Sequence, residues 1–587
     1  MEVAYFIGCT IQLLTEADTP MFRKCCAVAS LTALVLTGCG GTSNLSTPGT
    51  YTPPATTPTP VTVSASTAIQ HVVVIFGENV SFDHYFGTYP NAANVDGTTF
   101  TAASGTPTPA NYTATPALLT SNPNLNAANG VGATNPFRLG HGQAATGDQD
   151  HNYNPEQLAF DNGKMDLFPM SVGTADGSLT ASTGAPAITN TTGLTMGYYD
   201  GNTVTAMWNY AQHYAMNDHS FGGTFGPSTP GALELAAGQT NGVTYTVPYA
   251  NIASSVIPDG QGGYTDINDD DPAGDICSST TANFSMTGKN IGDLLNTGGI
   301  TWGFFEGGFN LSTTNTNGTT GCARSTVATY YPGTKADYIP HHQPFQYWAS
   351  TANPNHNRPT PGVAIGAKDA AGANHQYDTA DFNAALTAAT PTMAQVSFLK
   401  APGYQDAHAG YSDPLDEQTF IVNEINLIQQ SPFWQNTAII IAYDDSDGWY
   451  DHLADIVSGS TSSSDAASCN NTIAGSTAPA IAATTTGPGS NGQPVLGRCG
   501  KGPRLPLLVI SPYAKKNFVD TTPTEQASIP RFIEDVFLGS QRIGTGSFDT
   551  TAGSIMNMFN FTTTSGVAPN PNVVLLNPTT GAVTSGN

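Results

Sequence analysis

The sequence predicts an α/β fold, a central and largely parallel sheet covered by helices on both faces, with long loop insertions. Three apolar runs carry this expectation: HVVVIFG from His71, TAIIIAY from Thr437, and RLPLLVISPYA from Arg504. The first two run without polar relief, as strands buried on both faces do. Between them, Leu415 to Gln430 places Ile421, Ile425 and Ile428 at helical spacing and stops before Pro432. Helices set between buried strands define the α/β class. In such sheets, ligands bind outside the carboxyl ends of the strands.

The remaining elements follow in chain order. From Met21, Arg23 and Lys24 precede an apolar stretch from Ala27 to Leu36 and then LTGC, ending at Cys39. That stretch is too short to span a bilayer and reads as an export signal. LTGC has the pattern of a bacterial lipobox, so the expectation is a cell-envelope lipoprotein facing the periplasm or exterior, anchored to membrane through Cys39. An ordinary signal peptide containing a cysteine is the alternative. Met21 is the expected start, and residues 1–39 form the export segment. Residues 40–66 are Thr/Pro-rich and read as a tether. Residues 67–561 read as one catalytic domain, with low-complexity insertions at 102–132 and 458–493. Residues 562–587 read as a poorly ordered tail. Within the domain, Thr203 to Met216 has helical spacing, and Ile300 to Phe305 and Met393 to Leu399 read as strands.

Composition narrows the function. There are 43 Asp and Glu against 17 Lys and Arg, a net charge of -26 over 587 residues. Such a chain repels nucleic acid and anionic membrane surfaces at neutral pH, and meets an anionic substrate more easily in acid. No obligate protein partner is evident. Of the 8 cysteines, Cys277, Cys322, Cys469 and Cys499 lie beyond the export segment. Proximity favours Cys277–Cys322 and Cys469–Cys499, which suits an oxidising compartment. No Cys-x-x-Cys spacing among these four points to a thiolate metal site.

The chemistry gathers where strands end. TAIIIAY runs into Asp444 and Asp445, two carboxylates that repel each other unless a cation or proton intervenes. HVVVIFG runs into Glu78 and Asn79, which could complete an oxygen-rich shell for one divalent metal ion. Oxygen ligands leave Mg, Ca, Mn and Zn open. In GPSTPG, Pro230 suits a first helical position and Thr229 an N-cap, which sets Ser228 just before a helix N-terminus. A phosphate fits there, and a serine beside a divalent metal can act as nucleophile. His151, His341, His342, His408 and His452 lie in polar loops, where some can converge to protonate a leaving group.

These pieces in this order resemble the bacterial phosphoesterase family of acid phosphatase A and the bacterial phospholipases C, within the alkaline phosphatase-like superfamily. The matching stretches include GENVSFDHYFGTYPN, DHNYNPEQ, GPSTPG, NDDDPAGDIC, APGYQDAHAGYSDPLDEQ and YDDSDGWYDH. The resemblance implies a metal held by Glu78, Asn79, Ser228, Asp444 and Asp445. It implies phosphoryl contact or proton transfer by His151, His342 and His408, and a phosphoseryl intermediate on Ser228. Small phosphorylated substrates follow from it. The phospholipases C usually carry Thr-x-Pro-Asn-Arg at the nucleophile, whereas this chain has Ser228-Thr229-Pro230-Gly231-Ala232, as in the acid phosphatase branch. Ala232 also stands where a sulfatase needs arginine. The opening motif has Val80 where arginine is common, and VDTTPTEQASIPRF lacks a histidine often found there. The expected activity is a metal-dependent acid phosphatase. A phospholipase C acting on phosphatidylcholine-type diesters is the alternative, and a non-enzymatic surface module is a third.

Overall fold

Eight strands line up in one sheet. In chain order they are β1 (His71–Gly77), β2 (Ala215–Asn217), β3 (Trp302–Glu306), β4 (Gln376–Asp378), β5 (Val396–Lys400), β6 (Thr437–Tyr443), β7 (Leu507–Ile510) and β8 (Phe518–Asp520). Their spatial order is β4-β3-β5-β1-β6-β7-β2-β8. Only β7 runs antiparallel to its neighbours. This computed structural model describes residues 59–173, 187–258, 262–331, 333–455, 501–544 and 546–586.

The centre of the sheet explains the apolar runs. β1 sits between β5 and β6, and all its residues after His71 are buried, as is every residue of β6. Side chains alternate across a strand, so burial of every position means cover on both faces. The register pairs Val74 with Ile440 and Gly77 with Tyr443, so the two strands end side by side. Gly77 is required there: a Cβ would lie 2.6 Å from the Tyr443 ring, which crosses over it. The helices that matter for the site are α1 (Phe82–Phe86), α2 (Thr205–His213), α3 (Ser228–Ala237), α4 (Pro414–Gln430) and α5 (Ser528–Phe537). The helix read over Thr203 to Met216 is shorter than its spacing promised, because Ala215–Asn217 leave it to join the sheet.

Two boundaries differ from the sequence reading. The C-terminal tail is ordered: Thr562–Thr564 pair antiparallel with Pro60–Thr62, and Val574–Leu576 form a hairpin with Val583–Gly586. Side-chain amides of α4 hold that hairpin. Asn426 donates to the Leu576 carbonyl at 2.8 Å, and Gln429 accepts from the Val574 N–H at 2.6 Å. Among the described residues, the compact unit takes in the last tether residues, from 59 on, and the tail to 586. The stretch at 102–132 lies within the fold, held by asparagine amides and by Tyr112, which is buried in an apolar cluster with Leu118 and Leu119 against it. Asn111 donates to the Phe86 carbonyl at 2.6 Å and Asn124 to the Met165 carbonyl at 2.8 Å. Such bonds satisfy backbone carbonyls that a loop would otherwise leave to water.

Cys277 and Cys322 form a disulfide. Cys39, Cys469, Cys499, the export segment and the insertion at 458–493 lie outside the described residues. Among the described residues, no helix is long and apolar enough to cross a membrane.

Candidate active site

β1 and β6 are parallel neighbours, so Glu78-Asn79 and Asp444-Asp445 emerge on one edge. Asn79 adopts φ 60, the left-handed region that short polar side chains tolerate. Its N–H thereby reaches Asp444 Oδ1 at 3.1 Å, and the Asp445 N–H donates to the same oxygen at 2.7 Å. Asp444 thus ties the two strand ends together. β5 adds Lys400, whose Nζ pairs with Glu78 Oε1 and lies 3.3 Å from Asp444 Oδ2.

The serine arrives from the first turn of α3. Ser228 Oγ donates to Glu78 Oε2 at 2.8 Å and lies 3.4 Å from Asp445 Oδ2. The helix starts earlier than the sequence reading placed it: Pro227 is the N-cap, Ser228 the first residue, and Thr229 and Pro230 lie inside. Proline fits anywhere in a first turn, because those N–H groups have no partner within the helix. The Thr229 N–H instead donates to Asp269 Oδ1 at 2.8 Å. Gly231 lets α3 sit directly on the end of β6, since a Cβ there would lie 2.2 Å from the Asp444 carbonyl oxygen.

One oxygen from each of Glu78, Asp444 and Asp445 lies within 4.8 Å of the others, and all three residues are buried. Asn79 Oδ1 is buried beside them with no hydrogen-bond partner. Burial, then the charge of Asp444, pushes the Glu78 and Asp445 carboxyls well above the usual range. Three buried carboxylates, a hydroxyl and an orphaned amide oxygen form a donor set that fits a hard divalent cation.

Three of the singled-out histidines gather here. His342 Nδ1 lies 3.3 Å from Glu78 Oε1. His151 Nε2 lies 3.4 Å from Asn79 Nδ2, and the His151 and His408 rings stand 5.5 Å apart. Their charge states differ. Burial opposes a charge on His151, but Asp445, Asp148 and Asp447 outweigh it and hold its pKa well above normal. Burial, then Lys400, drives His342 well down, and burial, then His151, does the same to His408. His341 turns the other way, toward Asp271 at 3.3 Å, and His452 Nδ1 bonds Asp83 Oδ2 at 2.5 Å.

The Phosphoesterase family model matches residues 69–538. The chain belongs to the phosphoesterase family. Among its relatives, phospholipase C B of Mycobacterium tuberculosis is 23% identical over 86% of this chain and 79% of its own. Non-hemolytic phospholipase C of Pseudomonas aeruginosa is 28% identical over 25% of this chain, and that of Burkholderia pseudomallei 28% over 30%. The matched stretches span only 20% and 24% of those last two proteins.

Around this site stand residues that sequence reasoning missed. Lys400 supplies a buried cation between two carboxylates, and its signal was a lysine closing the strand segment VSFL. Asp447, in the same loop as the paired acid, accepts from Asn79 Nδ2 at 3.0 Å. Arg504 is fully buried, pairs with Asp83 and Asp451 at 3.0 Å, and donates to the Ala110 and Asp218 carbonyls. It locks α1 to the loop beyond Asp445. Removing one partner of such a buried network leaves uncompensated charge.

Proposed function

We propose that this phosphoesterase is a metal-dependent acid phosphatase that hydrolyses small phosphomonoesters through Ser228. The observation that carries the reading is Ser228 Oγ at the start of α3, 2.8 Å from Glu78 Oε2 and 3.4 Å from Asp445 Oδ2. Glu78, Asn79, Ser228, Asp444 and Asp445 would hold one divalent cation. When bound, the cation favours the ionised serine hydroxyl and offsets charge on the phosphoryl oxygens.

The chain's own residues supply the rest. The N-terminal turn of α3 sets partial positive charge where the phosphoryl group sits. Ser228 passes its proton to Glu78 Oε2, to which it donates at 2.8 Å, its Oγ bonds to phosphorus as the ester oxygen leaves, and His151, held in its charged form, gives that oxygen a proton. Water then attacks the phosphoserine, the bond from phosphorus to Oγ breaks to release phosphate, Ser228 takes back the proton held by Glu78, and the proton lost by the water restores His151 by way of His408. His408 gives its Nδ1–H to the Ala409 carbonyl at 2.6 Å, which leaves the Nε2 lone pair to accept a proton from that water. His342, buried and neutral, orients Glu78. A charged His151 and a net charge of -26 both suit acid conditions.

Gly231 and Ala232 depart from the Asn-Arg of the phospholipase motif, which supports the monoesterase reading. Phospholipase C action on phosphatidylcholine-type diesters is the second reading, favoured by the names of the three relatives. Ser228→Ala tests the nucleophile. Phosphate release should fall by about 10³-fold or more with melting temperature held, and full turnover would refute the assignment. The Cys277–Cys322 disulfide supports an exported, envelope location. Mass spectrometry for a diacylglyceryl group on Cys39 tests the lipid anchor, which an unmodified Cys39 would exclude.

A further inference from the structure

Glu156 lies on the short helix Tyr153–Phe160, five residues past His151, and is buried. Its two oxygens go to two different loops. Oε2 accepts the Gly226 N–H at 2.9 Å, and Oε1 accepts the Ser446 hydroxyl at 2.7 Å. Gly226 is two residues before Ser228, and Ser446 follows Asp445 directly. Gly226 has φ +109, a conformation that L side chains rarely adopt, so its N–H direction is fixed by the turn. The Gly448 N–H donates to Ser446 Oγ at 3.1 Å, which orients the serine as donor toward Glu156. One carboxyl group therefore spans the loop that delivers the nucleophile and the loop that delivers the paired acid.

We propose that Glu156 is a positioning residue that sets the separation between Ser228 Oγ and Asp445. It touches neither oxygen and acts through the two loops. The inference rests on the reading of Ser228 as nucleophile. The role needs two hydrogen bonds and the right reach, and it needs no charge. Glutamine keeps both bonds: its Oε1 accepts from Gly226, and its Nε2 donates to Ser446 Oγ. Alanine loses both, and aspartate is one methylene too short to span the loops.

The test compares Glu156→Ala and Glu156→Gln by turnover of a small aromatic phosphomonoester, bound metal per chain, and amide hydrogen exchange over residues 222–230. A displacement near 1 Å at a nucleophile costs on the order of 10²-fold in rate. Glu156→Ala should therefore lose about 30- to 100-fold in kcat, with KM within about threefold and metal content unchanged. The Gly226 amide should exchange at least about tenfold faster. Glu156→Gln should stay within about threefold of the parent in rate and exchange. Full kcat in Glu156→Ala would overturn the proposal. So would equal loss in Glu156→Gln, which would assign the carboxyl a proton-transfer role. If Ser228→Ala kept turnover, the nucleophile reading would fail separately, and unchanged exchange at Gly226 in Glu156→Ala would still overturn the clamp.

Discussion

Gly231→Ala attacks the seat of the nucleophile helix. Gly231 lies one turn past Ser228, and a Cβ there would come 2.2 Å from the Asp444 carbonyl oxygen and 2.7 Å from its carbon. Ordinary contact begins at 3.4 Å, so α3 and the end of β6 must part by about 1.2 Å. Neither side yields easily: both contacting atoms are backbone, and Gln526 Nε2 holds the same carbonyl at 2.7 Å. Overpacking of this kind costs about 1–3 kcal/mol. Unfolding entropy of about 2.1 cal/mol/K per residue, over roughly 500 residues, gives about 1 °C of melting temperature per kcal/mol. The rate should suffer more, because Ser228 moves with its helix while Glu78 stays with β1. A shift near 1 Å at a nucleophile costs about 10²-fold in kcat. Phosphate release and thermal unfolding on one preparation measure both. An alanine variant within twofold of the parent rate, with an unchanged melting temperature, would refute the claim that α3 rests on Asp444.

Three further outcomes are expected. Lys400→Met strips the ammonium from Glu78 and Asp444 and should cost about 3–5 kcal/mol in chelator; thermal scans should show added divalent cation restoring more stability to the variant than to the parent. Chelation should abolish turnover, and a divalent cation at about 100 times its Kd should return activity and add about 2.7 kcal/mol of stability. Glu424 is buried far down α4, and burial lifts its pKa from 4.5 to about 7. A carboxyl raised in the folded state costs nothing below pH 4.5, and its penalty grows as pH rises to about 7, reaching about 3 kcal/mol. Glu424→Gln keeps the Oε1 that accepts from Asn383 at 2.9 Å. It should melt about 3 °C above the parent at pH 8 and match it at pH 4, and equal gains at both pH values would contradict this cause.

How much was legible depended on distance along the chain. β1 and β6 announced themselves through unbroken apolar runs, and the carboxylates at their ends followed. β2 and β8 did not, because three residues carry no period, and Asn217 and Asp520 look like loop residues until they pair. Ser228 was recognisable from its helix start, although the helix began earlier than its prolines implied. His341 and His342 are adjacent in sequence and face opposite surroundings, one toward Asp271 and one toward Glu78. No local pattern separates them. The pairing of residues 60–62 with 562–564 and the two-loop reach of Glu156 are long-range facts, invisible to composition or spacing.

Phosphate release from a small aromatic phosphomonoester between pH 4 and pH 9, set beside cleavage of phosphatidylcholine, tests the central claim most directly. The expected result is monoester turnover that peaks in acid, is lost in Ser228→Ala, and leaves the lipid intact. Cleavage of the lipid with little monoester turnover would contradict it and establish the phospholipase reading.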